Sequence, residues 1–231
     1  MGNPINYSVE LPTRCLTLLE QLWEPVSTIM QPDRPELGPL TSTFLISMSM
    51  PIINLPIERI ERRRGKEDLY YANDRPIAPH IVEEIERSLG SNPFRDTPFY
   101  KAGAWRFVRC TKLPLPNIAR GLPQEIATEL ESDVAAEQAA GLPAAQWCSI
   151  LRNALAHGGI AYLNSNGRSS YGEPVKMFAF ASGKYADVSG VKSKPLIAVN
   201  LLRISEEDYF NFLRKWVEWL QNAGIQRAMA A

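Results

Sequence analysis

Twenty consecutive residues, Gly38 to Ile57, carry no charge. A run of that length has to be covered, by lipid or by the rest of the protein, and it would suffice to cross a bilayer. Its chemistry argues against lipid. Thr41, Ser42, Thr43, Ser47, Ser49 and Asn54 are polar, and Pro51 and Pro56 each remove a backbone donor. The reading is therefore a buried helix from Thr41 to Arg64, kinked at the prolines and covered by other helices, with no membrane partner. It ends in a charged turn, Glu58-Arg59-Ile60-Glu61-Arg62-Arg63-Arg64, whose cations complement a helix C-terminus before Gly65.

Burying such a segment takes a sizeable core. At 231 residues and 45% hydrophobic, the chain is expected to supply it within one domain, residues 1–231. Lys+Arg and Asp+Glu number 25 each, so no global basic field exists and any nucleic-acid contact has to come from a local patch. Cys15, Cys110 and Cys148 are widely spaced and odd in number, which reads as reduced thiols. The start, M-G-N-P-I-N-Y, has neither a basic n-region nor an apolar h-region. Together these predict a cytoplasmic location.

Helical spacing is visible elsewhere. Leu16, Leu19, Trp23, Val26 and Met30 recur at threes and fours within Leu11 to Met30. Pro79 to Leu89 and Pro123 to Ala140 read as helices, and Pro143 opens another that stops at His157 or Gly158. Trp105 to Cys110 is a short strand or a helical turn, in a segment whose repeated prolines predict an extended, wrapping path. After Gly159 the pattern changes. Ile160–Leu163, Val175–Ala181 and Leu196–Ile204 are aliphatic and aromatic runs separated by Gly-rich polar stretches, a strand and hairpin signal. Ser205 to Asp208 resembles a capping box for a last helix, Glu206 to Gln221.

The chemistry concentrates at I-L-R-N-A-L-A-H-G-G, Ile150 to Gly159. Arg152, Asn153 and His157 interrupt an Ala/Leu-rich helix. They suit a phosphodiester: a cation for the anionic phosphorus centre, an amide to orient it, and an imidazole to move a proton near neutral pH. Ser149, Asn153 and His157 share a helix face, with Arg152 one step round. The plain alternative is a structural histidine favoured by the helix dipole beside a surface arginine.

Arg152-Asn153, three residues, then His157-Gly158 resembles the Arg-polar-xxx-His signature of HEPN domains. The resemblance covers Gln146 to Gly159 well and the rest in outline. It implies a mainly α fold, an up-and-down helical bundle; the strands between about 160 and 204 depart from that bundle and read as a small β insertion before the last helix. It also implies one of two functions. The first is a metal-independent endoribonuclease of toxin or defence type. It would work as a homodimer that brings two His157 and two Arg152 together on RNA, with an antitoxin protein as a further partner. The second is a non-catalytic module that binds RNA, a nucleotide or a partner protein, and keeps the motif for an interhelical hydrogen-bond network.

Other candidates are weaker. Arg59, Arg62, Arg63 and Arg64 could contact RNA phosphates or simply solvate a helix end. His80 has no ligand-spaced companion, and Trp216 and Trp219 read as core. No Cys, His or carboxylate group has metal-ligand spacing and no phosphate-binding loop occurs, so neither metal nor cofactor is expected.

Overall fold

A computed structural model describes residues 7–64, 79–169, 172–186 and 194–223. Helix α1 spans Tyr7–Ser27 and buries Cys15 and Leu19. The uncharged run forms α2 (Thr41–Ser49), one π-helical turn (Met50–Asn54) and the start of α3 (Leu55–Arg64). The kink has a local cause. Pro51 and Pro56 have no N–H for the carbonyls one turn earlier, and the wider π turn makes room for a ring inside the helix. The Ile52 carbonyl, which Pro56 cannot serve, accepts a hydrogen bond from the Trp216 Nε1 at 2.9 Å. Leu45, Ile52, Ile53, Ile57 and Ile60 are buried in the main core, so protein covers this segment. Among the described residues no helix is long and apolar enough to cross a membrane. Helix α4 follows at Pro79–Leu89.

The sheet departs from the sequence expectation. Four strands, β1 (Arg106–Cys110), β2 (Ile160–Leu163), β3 (Met177–Tyr185) and β4 (Leu196–Ser205), form one antiparallel sheet in the order β1-β4-β3-β2. The fold is therefore mixed α/β, and not a mainly helical bundle carrying a small hairpin insertion. The decisive strand is β1. It comes from the proline-rich segment well before the motif, and it pairs with β4, placing that strand in the middle of the sheet.

Both faces of the sheet carry core. Phe107, Phe178, Phe180, Leu202 and Ile204 point to one side, with α1, α3, α4 and the aromatic side chains of Phe94, Phe99 and Trp105. Val108, Ala161, Leu163, Ala179 and Leu201 point to the other, against Ala127, Leu130 and Ala135. Those last residues lie on α5 (Gln124–Glu131) and α6 (Asp133–Gly141), which replace the single helix expected from Pro123 to Ala140. The break is at Ser132. Its backbone is extended and its hydroxyl accepts from the Ala135 N–H at 3.2 Å, so it starts a new helix instead of continuing the old one.

Helix α7 (Ala144–His157) carries the motif and packs on β3 and β4. Pro143 offers no side-chain cap, and the first free donors, the N–H groups of Ala144 and Ala145, bond the carbonyls of Asn92 (2.9 Å) and Gly90 (3.0 Å). Trp147 fixes the helix inward, stacked on Phe94 with ring centroids 4.2 Å apart. Helix α8 (Glu206–Asn222) closes the fold. The Ser205 hydroxyl accepts from the Asp208 N–H at 3.0 Å, as the capping pattern predicts, and Trp216 and Trp219 are buried.

Candidate functional site

Three glycine- and helix-end details set the motif. Gly158 ends α7 with φ +69°, in the left-handed region, and its N–H returns to the Ala154 carbonyl. Gly159 has another reason to be glycine: a Cβ there would lie 2.4 Å from the carbonyl oxygen of Ala181 on β3. The Ala181 N–H donates to the Gly159 carbonyl at 2.7 Å, so the chain leaves α7 directly along the sheet. His157, in the last turn, is exposed, and among the described residues no hydrogen bond reaches its ring.

Arg152 and Asn153 diverge from that exposed end. Arg152 Nη1 donates to Glu58 Oε1 of α3 at 2.9 Å, an ion pair whose side chains are 23% and 43% exposed. The Arg152 carbonyl also accepts from Asn54 Nδ2 of the π turn at 3.3 Å. Asn153 Nδ2 turns the other way and donates to Ser182 Oγ of β3 at 3.3 Å. Within one chain the motif thus ties α7 to α3 on one flank and to the sheet on the other, and leaves the imidazole to solvent. Arg59, Arg62, Arg63 and Arg64 fall on α3, but their side chains lie outside the described residues, as does that of His80. Among the described residues no three His, Cys, Asp or Glu side chains gather as a metal site would require.

Asn153 opens onto a feature that sequence reading missed. Arg109, Asn200 and Ser182 are direct neighbours across β1, β4 and β3. They continue the same sheet face as Phe107, Leu202 and Phe180, two residues further along each strand. Opposite them α7 presents Gln146, Ser149 and Asn153, and a cavity of about 310 Å³ lies between. Lys184 and Tyr185, beside a β-bulge in the β3–β4 pairing, complete the rim. Arg109 Nε donates to Asn200 Oδ1 at 2.9 Å, and the guanidinium lies 5.8 Å from the Phe107 ring centroid. The signal was present as parity. Asn200 interrupts an apolar strand, and Ser182 and Lys184 continue the alternation of Phe178 and Phe180.

The chain matches no family model, no curated protein and no solved structure. The likeness to HEPN domains therefore stands on the motif from Arg152 to Gly158 alone.

Proposed function

We propose that this protein is a HEPN-like endoribonuclease that cuts RNA without a metal ion, as a homodimer. The observation that carries the reading is the exposed imidazole of His157, five residues beyond Arg152 and open at a helix end. In the proposed reaction the 2′-oxygen attacks the adjacent phosphorus while one imidazole takes its proton. The bond from phosphorus to the 5′-oxygen breaks, and a second imidazole, protonated, gives its proton to the leaving oxygen. The products are a 2′,3′-cyclic phosphate and a 5′-hydroxyl. One His157 cannot hold both protonation states at once, so two chains meeting about a two-fold axis supply the pair. Arg152, its direction fixed by Glu58, stabilises the charged phosphorane, and Asn153, turned to the other flank, positions α7 against Ser182.

One observation favours a second reading. The bonds from Arg152 to Glu58 and from Asn153 to Ser182 form the kind of internal network that a non-catalytic binding module would keep. A rate comparison in EDTA separates the two. His157→Ala and Arg152→Ala are expected to lose cleavage by about 100-fold or more, with Asn153→Ala milder. Equal rates for His157→Ala and wild type would leave the binding module as the reading.

A further inference from the structure

We infer that the cavity between α7 and the sheet is a binding site for a small phosphorylated molecule, an inference that needs no cleavage at His157 although Asn153 belongs to both sites. The starting point is what the sheet face gives up. The row Phe107–Leu202–Phe180 is core, and the next row on the same face is Arg109–Asn200–Ser182. Packing alone would extend the apolar row under α7. The chain instead sets a guanidinium, an amide and a hydroxyl there and opposes them with polar side chains of α7. Asn200 and Ser182 are buried residues, and polar side chains set where packing would place apolar ones collect where a site is needed.

Asn200 gives the site its direction. It is 5% exposed and lines the cavity. Because Arg109 Nε can bond only to the oxygen of this amide, Nδ2 has to point the other way. That donor meets no hydrogen-bond partner among the described residues. Ser182, 8% exposed, accepts from Asn153 and keeps its own proton to give. Arg109 and Lys184 add two positive charges, and among the described residues no carboxylate lines the space.

These donors select the ligand. They come from one row of the sheet, on β1, β4 and β3, and from α7 opposite, so they face an acceptor from two sides. That suits a tetrahedral, multiply charged oxyanion better than a flat carboxylate, which one arginine fork would satisfy. At about 310 Å³ the cavity exceeds a bare phosphate and matches the small end of ligand pockets. Gln146 and Tyr185 line the remaining space, an amide and an aromatic ring suited to an attached sugar or base.

The test is calorimetric titration of the full chain with inorganic phosphate, adenosine 5′-monophosphate, adenosine, and a 5′-phosphorylated single-stranded RNA. Phosphate and adenosine monophosphate are expected to bind at one per chain, the nucleotide more tightly, and adenosine not at all. Arg109→Gln and Lys184→Gln, both on exposed side chains, are each expected to weaken nucleotide binding roughly tenfold, the loss of one charge-assisted bond. Asn200→Leu restores an apolar row. It is expected to abolish nucleotide binding with a melting temperature no lower than wild type. His157→Ala is expected to bind the nucleotide as wild type does, so failure of cleavage and failure of this site are distinguishable. Unchanged affinity in the Arg109→Gln/Lys184→Gln double variant would overturn the proposal. So would binding of the RNA but not of the mononucleotide through these residues, or binding of none of the probes.

Discussion

Gly158 and Gly159 look alike in sequence, and both read as a helix stop. Their positions separate them. Gly158 supplies a left-handed φ with open space around its missing side chain, whereas Gly159 lies where a Cβ would strike the Ala181 carbonyl at 2.4 Å. Gly159→Ala is therefore expected to destabilise by about 1–3 kcal/mol, because a paired strand carbonyl cannot move aside cheaply. Thermal or denaturant unfolding checks this, and a loss below a few tenths of a kcal/mol would contradict the close approach. Arg152→Ala is a different case. Its ion pair with Glu58 is only partly shielded, so the expected stability loss is at most about 1 kcal/mol while the loss of cleavage is large. That split between stability and rate is what a working motif predicts. Of the motif, the sequence showed the residue types and the exposed helix end. It could not show that Arg152 and Asn153 point to opposite flanks, because those directions depend on what α3 and β3 place beside them.

Helix boundaries and strand runs after Gly159 were largely legible, since they follow from local spacing and from breakers. Two things were not. The α5–α6 break depends on Ser132 choosing a cap over a continuing helix, a contest that apolar periodicity does not register. β1 is five residues in a proline-rich stretch, and its partner β4 is some ninety residues away, so only the assembled sheet reveals it. The π turn makes its own prediction. Trp216→Phe keeps an aromatic ring but leaves the Ile52 carbonyl unserved, because Pro56 cannot replace the lost donor. A loss of about 1–3 kcal/mol from the unpaired carbonyl is expected in equilibrium unfolding, and a neutral result would mean that the Ile57 side of the turn serves it instead. On α4, burial pushes the Glu84 carboxyl up, but the Arg87 and Ser88 donors outweigh it and hold the group below its ordinary range. A depressed carboxyl stabilises the fold above the unfolded value and loses that contribution as pH falls through the folded one. Wild type should thus exceed Glu84→Gln in melting temperature near pH 6, with the gap closing below about pH 4. A gap that persists in acid would contradict the shift.

With a sheet buried on both faces, the molecule is a helix–sheet–helix arrangement in which α7 is central scaffolding and its last turn reaches the surface. In the proposed cleavage reaction a second chain supplies the other imidazole of the acid–base pair. Sedimentation at micromolar concentration is expected to show a dimer; a monomer would count against cleavage and leave the binding module standing. The fold class was misread because the sequence ranks strands by local strength, whereas the weight of a sheet comes from pairing across the chain. Metal-free cleavage through His157 is read from the 3′-end chemistry of RNA incubated with the protein in EDTA. Wild type is predicted to leave 2′,3′-cyclic phosphate ends and His157→Ala to leave the RNA intact. The same ends from both proteins, or intact RNA from both, would contradict the account.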